Sequence, residues 1–135
     1  MAARESNLKK DDERRINAFE MKYLRQVLRV SWTAKRTNEW VLKTAAVTRS
    51  LLASVKQRKL AYYGHILRKK GVCLEKEIIQ GSTLGCHTRG RPKTTWLDNR
   101  TSWTRLSLTE LVTNVEYRYQ WRKIIHNAAN PRRRL

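Results

Sequence analysis

The sequence predicts a mainly α-helical fold: a small irregular helical domain of about four helices, with a basic loop and disordered basic termini. Three observations predict it. Apolar residues recur at helical spacings in three separate stretches, Ile16 to Leu28, Leu52 to Ile66 and Leu108 to Tyr119. A segment rich in Gly, Ser, Thr and Arg, closed by Pro92, separates the second stretch from the third. With 40% hydrophobic and 30% charged residues in 135, only a modest core is possible, built mainly from helix faces.

The elements follow in order. Residues 1–10 are polar and read as a disordered N-terminus. Asp11 or Asp12 is suited to cap a first helix, because a carboxylate there meets unpaired amides and the positive end of the helix dipole. Ile16, Phe19, Tyr23, Leu24, Val27 and Leu28 give that helix an apolar face, and Arg15, Lys22, Arg25, Gln26 and Arg29 its wet face. Thr37 is the expected N-cap of a short helix carrying Trp40, Val41 and Leu42. A third helix runs from Ser50 to Leu67, with Leu52, Val55, Tyr62, Tyr63 and Ile66 on one side. Gly64 inside it costs about 1 kcal/mol against alanine. It marks either a close approach of another backbone or an early end to the helix. Gly71 breaks the pattern, and Leu74 to Gln80 is a further helical turn or a short strand. These pieces make up a helical segment, 11–80, followed by a basic Gly/Pro loop, 81–95.

A C-terminal helical segment, 96–128, restarts packing with Trp96, Leu97 and Trp103. Its helix has the clearest start in the chain: Ser107 and Glu110 form a capping box, and Leu106 can staple onto Leu111. One continuous helix is expected to His126, with Leu108, Leu111, Val112, Val115, Tyr119 and the stem of Arg122 on one face. A basic tail, 129–135, ends the sequence.

Thirty Lys and Arg against eleven Asp and Glu give a formal charge of +19. Self-repulsion at that charge is costly unless a polyanion offsets it, so nucleic acid is the implied partner. No stretch is long and apolar enough to span a bilayer, and no apolar run follows the first basic residue as a signal peptide requires. Cys73 and Cys86 then read as free thiols in a reducing compartment, and the expected location is nuclear or cytoplasmic.

Lys59-Leu60-Ala61-Tyr62-Tyr63-Gly64-His65-Ile66-Leu67-Arg68 resembles a motif in the C-terminal, post-thumb part of LINE-type (non-LTR, RTE-like) retrotransposon polyproteins, which join an endonuclease to a reverse transcriptase. Arg14 to Met21, Leu28 to Thr33 and Thr37-Asn38-Glu39 are similar to the family upstream of it. Arg89-Gly90-Arg91-Pro92, Trp96-Leu97-Asp98 and Arg118 with Trp121 are similar to it downstream. Order and approximate spacing agree from Arg14 onward. The resemblance implies a segment that grips template RNA or target DNA beside the polymerase, with the reverse transcriptase domain itself as a further partner. Tyr117 stands where the family usually has an acid before Arg118.

Catalysis is not expected of this chain. A polymerase of that type needs convergent carboxylates for two metal ions. The only adjacent aspartates, Asp11-Asp12, follow two lysines and read as helix caps, and Asp98 is the only other aspartate. The endonuclease residues are likewise missing. Cys73, Cys86, His87 and His65 fit no zinc-knuckle or finger spacing, and no phosphate-cradling Gly-rich loop occurs, so no metal or cofactor is expected.

Nucleic-acid contact is expected from three basic elements. The first is the cationic helix faces, represented by Arg25, Arg29, Lys56, Arg58, Lys59, Arg68 and Lys69. Tyr62 and Tyr63 are candidates there for base stacking, although helical spacing places at least one of them in a core. The second is the loop carrying Arg89, Arg91 and Lys93, either a general phosphate contact or an AT-hook-like insert into a minor groove. Thr88 replaces the proline usual before such a hook. The third is the tail Arg132-Arg133-Arg134. The sequence thus reads as a non-catalytic nucleic-acid-binding segment. The alternative is a protein-interaction module anchored by Trp32, Trp40, Trp96, Trp103 and Trp121, or a retrotransposon relic that needs its missing polymerase domains to fold.

Overall fold

The helical periodicities of the sequence are realised as helices. A computed structural model describes residues 8–47, 51–71, 74–80, 90 and 96–130, with the backbone alone for 79, 80, 96 and 97. The described residues form α1 Lys10–Val27, α2 Asn38–Ala45, α3 Leu51–Arg68, α4 Leu74–Gln80, α5 Trp96–Thr104, α6 Leu108–Glu116 and α7 Arg118–Ala129, with a 3-10 turn Trp32–Ala34 after α1. No strand occurs among them. The chain divides into two units, Lys9–Val55 and Lys56–Leu135 with Met1–Leu8, so the boundary falls inside α3. The loop 81–95 and the tail 131–135 lie outside the described residues, Gly90 excepted.

In the first unit, α1 starts two or three residues earlier than a cap at Asp11 or Asp12 would place it. Lys9 is the N-cap, and its backbone N–H donates to Asp12 Oδ2 at 3.1 Å. Asp11 and Asp12 therefore sit inside the first turn, where their charge still complements the helix dipole. Thr37 caps α2 as expected, its hydroxyl accepting from the Trp40 N–H at 3.3 Å. The first turn of α3 is held from α1, where Glu20 Oε1 accepts the Leu51 N–H at 2.8 Å. α1 packs against α2, yet none of its residues is buried. Phe19, Tyr23 and Val27, expected to face a core, are 62%, 58% and 61% exposed.

The second unit holds the core. Leu60, Tyr63 and Ile66 from α3 meet Leu111 and Val115 from α6 and Trp121 from α7, with Trp103, Leu106, Ile124, Ile125 and Ala128 packed around them. The capping box forms: the Ser107 N–H donates to Glu110 Oε2 at 2.9 Å, and Ser107 Oγ accepts from the Glu110 N–H at 3.4 Å. The carboxylate also accepts from Ser107 Oγ at 2.9 Å, and the two bonds it accepts from Ser107 hold Glu110 below its ordinary range. Leu74 to Gln80 is a helix, and Gly71 before it adopts φ +92°, a conformation that favours glycine.

One expectation is corrected in this unit. The single helix to His126 is two helices, broken at Tyr117 (φ −93°, ψ 97°). The break resets the phase of the apolar stripe. Trp121 and Ala129 become the buried residues of α7, while Tyr119, expected on the buried face, is 71% exposed. Of the N-terminal segment 1–10, residues 8–10 are described. Leu8 lies beside buried Asn99, whose carboxamide, in the orientation that satisfies both groups, donates to Leu8 O at 3.1 Å and accepts from Leu8 N at 2.8 Å.

Candidate nucleic-acid interface

The site is built on the second half of α3. Gly64 has a structural reason that is neither another backbone nor a helix end. α3 continues through it to Arg68, and the Trp121 indole occupies the space where a side chain would be. A Cβ at Gly64 would stand 2.6 Å from Trp121 Cδ1, well inside contact distance. The indole N–H donates to the Leu60 carbonyl at 3.2 Å, which satisfies a polar group that burial would otherwise leave costly. The Tyr63 ring packs on Trp121 with centroids 5.8 Å apart and planes tilted by 55°. On Tyr63 also lies the guanidinium of Arg100, itself buried, at 3.9 Å from the centroid. Burial pushes the Tyr63 hydroxyl above its usual range, and the Arg100 charge opposes that shift.

This placement corrects one candidate. Tyr63 is 2% exposed and cannot stack on a base, because its ring is enclosed by the core. Tyr62, its neighbour on the next face of the helix, is 41% exposed and open to stacking.

One turn beyond Gly64, Arg68 Nη1 donates to the Val115 carbonyl at 3.0 Å, close to the C-terminal end of α6 where carbonyls lack helical partners. Partial burial lowers the Arg68 pKa, and the charges of Arg118 and Arg122 push it the same way. Arg118 opens α7 and Arg122 stands one turn further on, both exposed and on one side of the helix. Arg68 is thus anchored at the end of α6, three residues before Arg118, with Arg122 one turn further along α7.

The other cations have mixed roles. Arg25 Nη2 donates to the Arg36 carbonyl at 3.0 Å and to Asn38 Oδ1 at 2.8 Å, so it clasps the chain ahead of α2 to α1. Lys56 lies over the Trp103 ring at 5.3 Å, and Lys69 pairs with Glu75 at 3.2 Å. Arg58 is exposed, Lys59 is half-buried, and Arg29 is exposed just past α1 with φ 52°. Arg89, Arg91, Lys93, Arg132, Arg133 and Arg134 lie outside the described residues.

Sequence reasoning missed the outer face of α7. Tyr119, Arg122, Lys123, His126 and Asn127 line a shallow groove there. Their spacing of three and four was visible, but a continuous helix phase assigned Tyr119 and Arg122 to the buried side. Among the described residues no group of His, Cys, Asp and Glu is arranged to hold a metal ion. Cys73, Cys86 and His87 lie outside them. Also among the described residues, no helix is long and apolar enough to cross a membrane. No family model matches the chain, and no curated protein or solved structure matches it either.

Proposed function

We propose that this chain is a non-catalytic nucleic-acid-binding segment, similar to the C-terminal region of a LINE-type reverse transcriptase polyprotein. It contacts RNA or DNA phosphates through basic helix faces and the basic loop 81–95, and a nuclear or cytoplasmic location goes with this role. The observation that carries the reading is charge: of thirty Lys and Arg, at most eleven can be matched one to one by a carboxylate. Such an excess is offset most effectively by a polyanion. The family resemblance has separate support. Two of the blocks that carry it, Lys59 to Arg68 and Arg118 with Trp121, lie far apart in sequence and pack together through Gly64 and Trp121.

The test is fluorescence anisotropy with labelled single-stranded RNA, GC-rich duplex and AT-rich duplex, each across a salt series. Neutralising about six phosphates gives a slope of log affinity on log salt near −5. A flat response overturns the proposal. An AT-rich preference that Arg91→Ala abolishes identifies the loop as a minor-groove insert.

A second reading rests on the exposed ridge of α1. Phe19, Tyr23 and Val27 are exposed at helical spacing and Trp32 is 87% exposed, an apolar surface suited to a protein partner such as a polymerase domain. Of the five tryptophans expected as anchors, Trp121 is core and Trp103 packs against it, which leaves Trp32 and the part-exposed Trp40. The Trp96 side chain lies outside the described residues. Association at moderate salt without nucleic acid favours this reading, and a monomer favours the first.

A further inference from the structure

We propose that the corner where α3, α6 and α7 meet is a phosphate site for single-stranded nucleic acid, with Arg68, Arg118 and Arg122 as donors and the groove along α7 as the seat of an adjoining base. The proposal rests on the nucleic-acid reading above and names its principal site.

The donors are placed by the fold. Arg68 is fixed by its bond to the Val115 carbonyl, which engages one nitrogen of a guanidinium that carries five N–H groups. The break at Tyr117 puts Arg118 at the first position of α7, beside that anchor, and brings Arg122 one turn behind it. Glu116, the nearest carboxylate in sequence, makes no ion pair with any of them, and α7 has no acid in its first turn and no side-chain cap from Tyr117. Arg118 therefore adds positive charge to the positive end of a helix dipole, an arrangement that opposes folding until an anion arrives. Arg68 is bound at Val115, three residues before Arg118, and Arg122 follows Arg118 by one turn, so the backbone brings the three to one corner. A planar guanidinium matches the geometry of a phosphate better than a lysine does.

The choice of a single strand comes from the groove, a separate feature that shares Arg122 with the cluster. Tyr119 there is 71% exposed, and the Lys123 ammonium lies over its ring at 4.5 Å. An exposed aromatic ring between cations is the platform on which an unpaired base stacks, and duplex DNA offers no such base. His126 and Asn127 supply polar edges along the same groove.

The experiment uses the full chain and fluorescein-labelled (dT)12, with a duplex of equal length, in anisotropy titrations across a salt series. Arg118 and Arg122 are exposed, and glutamine has nearly the same helix propensity as arginine, so the R118Q/R122Q pair keeps the fold. Loss of two phosphate contacts is expected to weaken (dT)12 binding about tenfold or more and to reduce the salt slope by about 1.4. The control pair K35Q/K43Q, two exposed lysines outside the basic faces of α1 and α3, is expected to change affinity less than about threefold. Tyr119→Ala is expected to weaken (dT)12 by about tenfold and leave the duplex unchanged. Equal losses for the two charge pairs overturn the site and leave diffuse electrostatic binding in its place. An unchanged (dT)12 affinity in Tyr119→Ala overturns the base seat. Absence of any salt-sensitive binding by the unaltered chain overturns the nucleic-acid reading itself.

Discussion

The two units of this chain use the same sequence pattern to opposite ends. Both contain an eighteen-residue helix or the greater part of one, with apolar residues at helical spacing. In Lys56–Leu135 that spacing buries Leu60, Tyr63 and Ile66, because α6 and α7 supply Leu111, Val115 and Trp121 to cover them. In Lys9–Val55 α1 packs against the eight-residue α2 and is tied to the first turn of α3, and Val41 and Ala53 are the only buried residues among those described. Each large apolar side chain fully buried contributes about 1.5–3 kcal/mol, so the first unit lacks most of what stabilises the second. Amphipathic periodicity specifies a helix and one apolar face. Whether that face becomes core depends on how many other faces the chain can bring to it.

The largest test of this contrast is Trp121→Ala. It removes the central side chain of the second core and should cost about 3–5 kcal/mol, read as a lower midpoint in urea unfolding. A cost below about 1 kcal/mol would mean that the second unit is as loosely held as the first. Gly64→Ala sharpens the point. Helix propensity alone predicts a gain of about 1 kcal/mol. The Trp121 indole occupies the space, so the structure predicts a net loss of about 1–3 kcal/mol by the same measurement.

A smaller effect is expected from pH. The folded state holds the Glu110 carboxyl below its ordinary value of 4.5, so its contribution is complete above that pH and is lost as pH falls through the depressed value. Stability measured from pH 6 downward should therefore fall less steeply on the acid side in Glu110→Gln than in the unaltered chain. The smallest effect belongs to the first unit: Phe19→Ser on the exposed ridge should move stability by no more than about 0.5 kcal/mol. A loss of several kcal/mol would show that α1 is covered in solution.

What the sequence disclosed and what it withheld divide along local and tertiary lines. The caps at Thr37 and Ser107 were legible because a hydroxyl and the amides it accepts lie within one turn. Gly64 could be read as a close approach, but only the fold names the Trp121 indole as the approaching group. The break at Tyr117 carries no glycine or proline to announce it. It serves tertiary needs, presenting Trp121 to Gly64 while Arg68 takes the Val115 carbonyl. The α7 groove was hidden for the same reason, since its residues change sides once the helix is broken. Tyr62 and Tyr63 show the limit most simply, because adjacent residues must diverge and nothing local decides which one turns inward.

The hydrogen bond from Trp121 to the Leu60 carbonyl closes a loop of 61 residues. Ordering so long a loop carries an entropy cost before any contact rewards it, which slows folding relative to a bundle of sequential hairpins. A ribosome delivers α3 well before α7, so the apolar side of α3 waits uncovered while the intervening residues are made. The nascent chain is then most exposed to aggregation in that interval, and it completes its core only when the residues around Trp121 emerge.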